Sequence, residues 1–449
     1  MTPELIARYD QRIPRYTSYP TAPNFRPDVT AETYAVWLSE LSPDTALSLY
    51  LHVPFCAELC LYCGCHTAVT RSYSPVAAYV DHLEQEIALV AEHLPDRMEV
   101  SHIHWGGGTP TILSPGDLRR ITSLLRAAFD VSASAEFAVE VDPRTITRAH
   151  VEALAACGLN RASLGVQDFD PKVQGTIKRV QSFERTLEVA SWLREAGVAG
   201  LNLDLMYGLP FQTAESVARS VELALKLDPD RIALFGYAHV PWMKRHQALL
   251  PEESLPDAVA RVEQRQAASH ALARTGYTAI GIDHFAKPAD PLAIRQREGR
   301  LHRNFQGYTT DEASALIGFG ASAIGSLPQG YVQNAPTALT YREALSQGRL
   351  PTVRGVTLTD EDRLRRAIIE RLMCDFAVNL DEVVPRYACA APDFTREFHA
   401  LDELARDGLV TRNGRSIAIP EDSRPLVRNV CAVFDRHLES GGARHSRAL

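Results

Sequence analysis

The chain has 449 residues, of which 45% are hydrophobic and 23% charged, and a net charge of -8. That length calls for more than one packed core, and the acidic balance argues against general nucleic-acid affinity, because phosphate backbones select basic surfaces. No apolar run approaches the ~20 residues that cross a bilayer, and Met1-Thr2-Pro3-Glu4-Leu5 has neither the basic nor the apolar part of a signal peptide, so a cytoplasmic protein without a membrane partner is expected.

In chain order, residues 1–45 read as an irregular arm rich in Tyr, Pro and Thr, with Pro14-Arg15-Tyr16-Thr17-Ser18-Tyr19-Pro20 at its centre. Two prolines and few aliphatics argue against a stable helix or a central strand there. From Ala46 a rhythm of short apolar run, polar turn and helix-length segment begins. The runs are Leu47–Val53, Ser101–Trp105, Glu136–Val141, Arg161–Val166, Leu201–Tyr207 and Arg231–Tyr237. Most are near-continuously apolar, as parallel strands covered on both faces should be. Between them lie amphipathic segments such as Val76–Leu94, with Tyr79, Leu83, Ile87 and Val90 at helical spacing. Six such units predict an α/β fold, a partial (β/α)6 barrel over 46–356, with Tyr277–Ile282 as an added strand. Chemistry is then expected in the loops at the strand C-termini. Those loops are rich in glycine and polar residues: Gly106-Gly107-Gly108-Thr109-Pro110, Glu140-Val141-Asp142-Pro143, Gly165-Val166-Gln167-Asp168-Phe169, Asp204 to Pro210, and Tyr237-Ala238-His239.

Beyond Thr357 the rhythm changes, which sets off a third region over 357–449. Thr359-Asp360-Glu361-Asp362 reads as a capped, acidic helix start running through Met373. A second helix is expected over Phe394–Arg406, then a hairpin within Leu409–Ile419 that turns at Asn413-Gly414. This order suggests a small, mainly helical, winged-helix-like module that covers or packs on the barrel.

The densest chemistry follows the first strand. Four of the chain's eight cysteines lie in His52-Val53-Pro54-Phe55-Cys56-Ala57-Glu58-Leu59-Cys60-Leu61-Tyr62-Cys63-Gly64-Cys65, and the first three are spaced C-x3-C-x2-C. Thiolates are preferred by iron-sulfur clusters and by zinc, but structural zinc usually takes four ligands in two separated pairs. Three thiols on one loop favour a four-iron cubane with one iron left open to a substrate or cofactor. A zinc knuckle or a zinc-stabilised interaction module is the alternative on the residues alone. Cys157, Cys374, Cys389 and Cys431 stand singly in apolar or helical surroundings and read as core residues.

The C-x3-C-x2-C loop after a short apolar strand is similar to the signature of radical S-adenosylmethionine (SAM) enzymes. The longer run through Gly64-Cys65 resembles the oxygen-independent coproporphyrinogen III oxidase (dehydrogenase) family of heme biosynthesis, and the resemblance extends from Arg15 to Phe434. It implies that Cys56, Cys60 and Cys63 hold a [4Fe-4S] cluster and leaves Cys65 without an assigned role. It further implies that Gly107, Gly108, Thr109, Glu140, Gln167, Arg179, Asp204 and Ala238 bind SAM. Tyr50, Phe305, Gln306 and Ile324 fall at the positions of a second SAM in that family. The reaction implied is decarboxylation of two propionates of coproporphyrinogen III to vinyl groups, giving protoporphyrinogen IX by way of a 5'-deoxyadenosyl radical.

The cluster and SAM carry that chemistry, so no side chain is assigned as catalytic; Tyr50, Cys65 and Arg303 are the candidates. On charge complementarity alone, Arg15, His284 and Arg303 are candidates for holding substrate carboxylates. Without the resemblance, His302–Thr310 reads as a surface loop. An electron donor such as a flavodoxin or ferredoxin is expected, as is a monomer. A heme-binding trafficking protein on the same fold is the runner-up, although such relatives commonly lack the counterparts of Cys65 and of His302–Thr310.

Overall fold

The computed structural model describes residues 2–387, 393–438 and 445–448. Its centre is one twelve-stranded sheet. In chain order the strands are β1 Leu47–Val53, β2 Glu99–Gly107, β3 Asp130–Val141, β4 Arg161–Gln167, β5 Gly200–Tyr207, β6 Arg231–Gly236, β7 Thr278–Ile280, β8 His284–Ala286, β9 Ala315–Phe319, β10 Ile324–Leu327, β11 Gly330–Asn334 and β12 Thr352–Thr357. Their spatial order is β12-β11-β10-β9-β1-β2-β3-β4-β5-β6-β8-β7. The run β9 and β1 to β6 is parallel throughout.

The six expected strands are present in the expected order, each with a set of fully buried side chains that packs in the core, alternate ones in β4 and nearly all in β1. In β1 only Tyr50 is less than fully buried. The connecting helices lay apolar stripes on the sheet: the helix Ser74–His93 buries Val76, Tyr79, Val80, Leu83, Ile87 and Val90. The added strand near Tyr277–Ile282 is the short β7, which reaches the barrel only through β8, and both of these pairings are antiparallel. The other flank is a finding beyond the sequence reading. There β9 pairs parallel with β1, and β10, β11 and β12 extend the sheet antiparallel.

Two expectations need correction. The N-terminal arm is not irregular: it contains helices Pro3–Tyr9 and Ala31–Ser39, capped by the hydroxyls of Thr2 and Thr30. Pro3 sits in the first turn, where its missing N–H costs nothing, and Pro14 and Pro20 lie between the helices. The arm's Ile6, Tyr9, Ile13, Tyr16 and Tyr19 are buried in one cluster with C-terminal residues such as Leu372, Leu401, Val430 and Phe434. Likewise His302–Thr310 is no surface loop. His302–Asn304 pairs antiparallel with Gly307–Thr309, turning at Phe305-Gln306, and Tyr308 is buried.

In the C-terminal region the helix Asp360–Asp375 starts at a reciprocal Thr359/Asp362 cap, and Thr395–Arg406 forms the second long helix. The hairpin Thr411–Asn413 with Ser416–Ala418 gains a third strand, Ala377–Asn379, along Ser416–Ala418. Its two-residue turn is Gly414-Arg415, one residue later than expected, because Asn413 pairs with Ser416 and Gly414 takes the positive φ of 60°. Cys157, Cys374 and Cys431 are buried, whereas Cys389 lies outside the described residues.

Candidate active site

The cysteine loop is held by backbone hydrogen bonds to the glycine turn that ends β2. Gly108 N donates to Val53 O at 2.8 Å and Thr109 N to Phe55 O at 2.8 Å. From the far side His246 Nε2 lies 2.8 Å from Cys63 O, and Lys244 Nζ donates to Cys65 O at 2.7 Å. Hydrogen-bond donors also point at the sulfurs. Cys56 Sγ accepts from Thr67 Oγ1 at 3.1 Å and Thr109 Oγ1 at 3.4 Å. Cys60 Sγ lies 3.5 Å from Arg144 Nη2 and 3.6 Å from Arg179 Nη1. Cys63 Sγ accepts from Cys65 N at 3.4 Å; hydrogen bonding from Cys65 holds its thiol below the usual range.

Donors and guanidinium charge beside a sulfur favour the thiolate, the form that binds metal. Among the described residues, no three His, Cys, Asp or Glu side chains converge on a point that one metal ion could fill. Three thiols on one loop with donors behind them suit a multi-iron cluster.

The predicted SAM residues sit on successive strand ends. Gly107 has φ 112°, and a Cβ there would come within 2.7 Å of the His52 ring, so only glycine fits between that ring and Glu140. Glu140 Oε2 accepts from Gly107 N at 3.2 Å, and its Oε1 lies 3.4 Å from His104 Nε2. Tyr50 stacks on His104 with centroids 6.0 Å apart, and its hydroxyl lies 2.9 Å from His52 Nδ1. Gln167 ends β4 at a positive φ of 69°. Asp204, on β5, accepts from Ser163 Oγ at 2.9 Å and Asn202 Nδ2 at 2.8 Å, and burial, helped by the charge of Glu140, pushes its carboxyl up to about 6.

Arg179 is largely committed. It faces both oxygens of Asp142 at 3.4 Å and donates to the Gly165 carbonyl, which leaves Nε buried without a partner. Asp142 also takes Arg144 at 2.7 Å, and these two arginines outweigh burial to keep its carboxyl low. Thr67, Asp142, Arg144 and His246 escaped the sequence reading because lone polar residues on different loops carry no spacing signal. Asp142, inside the Glu140-Val141-Asp142-Pro143 strand end, was the one within reach.

The structure gathers Tyr50, Glu140, Phe305, Gln306 and Ile324 around one cavity of about 790 Å³, together with Trp242 and Met243. Ala238 and Arg303 line a neighbouring cavity of about 470 Å³ that also contains Arg15, and Trp242 borders both. His284 does not line it: its Nδ1 lies 2.7 Å from Asp283 Oδ1, and its ring packs between Phe235 and Tyr308. Gly108, Thr109, Gln167, Arg179 and Asp204 line neither cavity but stay on the cluster side, beside the thiols and the strand ends. Cys65 is exposed. The donor set fits a [4Fe-4S] cluster with SAM beside it: three thiolates, a glycine turn that no side chain could replace, and a spare buried guanidinium donor.

A parallel αβ barrel with three loop thiolates at the end of its first strand defines a radical SAM enzyme, and residues 50–224 match the Radical SAM superfamily. Over its whole length the chain is 52% identical to the oxygen-independent coproporphyrinogen III oxidase of Bradyrhizobium diazoefficiens, covering 100% of both chains. It is 43% identical to that of Paracoccus denitrificans, covering 99% of this chain and 98% of the relative. The structure of Escherichia coli coproporphyrinogen III oxidase, described as a radical SAM enzyme, superposes with a TM-score of 0.90 at 40% identity, covering 95% of this chain and 100% of that one. The chain therefore belongs to the oxygen-independent coproporphyrinogen III oxidase family. It is an oxidoreductase of porphyrin biosynthesis whose cofactors are a [4Fe-4S] cluster and SAM.

Proposed function

We infer that the chain converts two propionates of coproporphyrinogen III to vinyl groups, giving protoporphyrinogen IX, and that its own residues divide the work as follows. Cys56, Cys60 and Cys63 hold the cluster, with Thr67, Thr109, Arg144 and Arg179 hydrogen-bonded to the sulfurs. When bound, the cluster and SAM supply the one-electron chemistry by which a propionate loses a β-hydrogen atom, carbon dioxide and an electron. The backbone of Gly107 and Gly108 with Thr109, Glu140, Gln167, Arg179, Asp204 and Ala238 positions SAM. Tyr50, Phe305, Gln306 and Ile324 form the wall of the 790 Å³ cavity against which a second SAM or the tetrapyrrole lies.

The observation that carries this reading is the convergence of the thiol loop, the glycine turn and Glu140 at one end of β1, β2 and β3. No side chain there needs to act as an acid or base. A small carrier such as a flavodoxin or ferredoxin is the inferred reductant, since the cluster must receive single electrons. Among the described residues no helix is long and apolar enough to cross a membrane. A cytoplasmic monomer is the proposed state: exposed large apolar side chains such as Val36, Val180 and Leu339 come from separate elements. The division into an arm over 1–45, a catalytic domain over 46–356 and a C-terminal domain over 357–449 is likewise proposed.

The test is an anaerobic assay of reconstituted protein with a strong reductant, SAM and coproporphyrinogen III. Loss of two carboxyl groups with formation of 5'-deoxyadenosine is expected. SAM cleavage with an unchanged tetrapyrrole would keep the superfamily and remove the substrate.

A further inference from the structure

The 470 Å³ cavity lies where the N-terminal arm, the strand ends of β5 and β6 and the C-terminal region meet. Its wall is unusually cationic at one place. Arg303 comes from the ribbon at 302–309, Arg15 from the arm and Arg428 from the helix Val427–Val433. The Arg303 side chain is 5% exposed, yet its Nε and Nη1 have no hydrogen-bond partner, and its nearest carboxylate oxygen, on Asp283, is 3.8 Å from Nη1. Its guanidinium instead lies 4.5 Å from the centre of the Tyr308 ring. Arg15 spends one donor on the Gly236 carbonyl at 3.3 Å, and Arg428 spends its own on the carbonyls of Ile13, Arg447 and Ala448.

Asp283 is the carboxylate that answers these three guanidiniums, and it too takes the imidazole of His284. Despite burial, Arg303, His284 and Arg15 hold its carboxyl down to about 2, and burial beside Arg15 lowers Arg428 to about 10. Buried charges persist where an opposite charge meets them. Arg303, buried with two unpaired donors, and the buried Arg428 share with the exposed Arg15 the one carboxylate of Asp283 beside the cavity, which leaves this part of the wall short of an anion.

Resting on the function proposed above, we propose that Arg303, Arg428 and Arg15 form a carboxylate-binding site that anchors a propionate of the tetrapyrrole not undergoing reaction. The planar guanidinium fork matches a carboxylate in bidentate fashion. Ala238, one of the residues assigned to SAM, lies on the same wall, and Trp242 joins this cavity to the one containing Tyr50 and Glu140. Arg428 makes the C-terminal region part of the substrate site, a role its sequence position gives no sign of.

The experiment uses the cluster-loaded protein, anaerobically, and titrates coproporphyrin III and its tetra-amide, which keeps the ring and loses the charges. Arg303→Gln and Arg428→Gln are expected to raise the Kd of the acid about tenfold or more, the scale of a charged hydrogen bond. Each leaves the Kd of the tetra-amide within about twofold, and Arg428→Lys recovers part of the loss. SAM affinity, measured alongside, reports an intact fold. Variants that bind both ligands as the unaltered protein does, or that lose both equally, overturn the site. Should neither variant fold, the unaltered protein still decides: it must prefer the acid over the tetra-amide, and equal affinities refute the site. If it binds neither ligand, the substrate assignment falls as well.

Discussion

Gly107 and Gly64 lie on neighbouring loops but meet different constraints. Gly107 carries φ 112° and has the His52 ring where a Cβ would go, whereas nothing lies within 4 Å of the corresponding point on Gly64. Gly107→Ala is therefore expected to destabilise the fold by roughly 1–3 kcal/mol and to weaken SAM binding, while Gly64→Ala leaves both nearly unchanged. Thermal melts and SAM titration check the pair, and equal effects would contradict the geometry. Arg179 makes a second test at this scale. Its Asp142 pair and its donation to Gly165 both depend on the planar fork, so Arg179→Lys should weaken SAM binding by about tenfold or more. Asp142 keeps a cation beside it, and Arg144 at 2.7 Å still holds its carboxyl low, so the substitution removes the fork geometry and not the charge. An unaltered SAM Kd in Arg179→Lys would remove Arg179 from the site and leave it as the structural partner of Asp142.

Among the elements, those with a local signature were legible in the sequence. The six barrel strands announced themselves as apolar runs, and the strand-end loops by their glycines. The cysteine loop could be read as a candidate cluster site because three thiols sit on one stretch of chain. The flank β9 to β12 could not, because its strands are short and β9 pairs with β1 across more than 250 residues of sequence separation. The arm helices were hidden by prolines that lie in a first turn or between them. In the site, Arg144 and Thr67 reach the sulfurs only through tertiary folding. Glu86 belongs to the same class of surprise: a carboxylate in the middle of the helix Ser74–His93, 1% exposed. It ties that helix to Gly320 N, Asn334 Nδ2 and the Tyr341 hydroxyl at 2.6, 2.6 and 2.5 Å. Burial outweighs those donors and raises it from 4.5 to about 7. The folded state thus binds this proton more tightly than the unfolded chain. The contribution is intact below about pH 4.5, and stability falls as pH rises toward 7, by roughly 3 kcal/mol at most. Denaturant unfolding of Glu86→Gln at several pH values should lack that slope; an unchanged slope assigns it to another group.

On the scale of the whole molecule, the two ends of the chain close the structure together. The arm contributes Ile6, Tyr9, Ile13, Tyr16 and Tyr19 to a core it shares with C-terminal elements. Polar contacts pin the same seam: Tyr16 donates to Asp435 at 3.1 Å, and Arg428 donates to Ile13 O at 3.2 Å. The residues proposed to hold the cluster and the first SAM, by contrast, all lie between Cys56 and Ala238, on a separate core built from the barrel strands and their helices. Removing residues 2–20 should therefore divide the properties of the protein. Five buried apolar side chains leave the shared core, each worth about 1.5–3 kcal/mol of burial, so the C-terminal region should melt early and become open to protease. The truncated chain should still assemble its cluster and bind SAM with nearly unaltered affinity, yet lose tetrapyrrole affinity along with Arg15 and the arm's wall of the cavity. Cluster absorbance, SAM dialysis and coproporphyrin titration on one preparation separate these outcomes. Loss of SAM binding together with the tetrapyrrole would mean that the barrel depends on the arm for its own folding, and retention of both would leave the arm without a part in the substrate site.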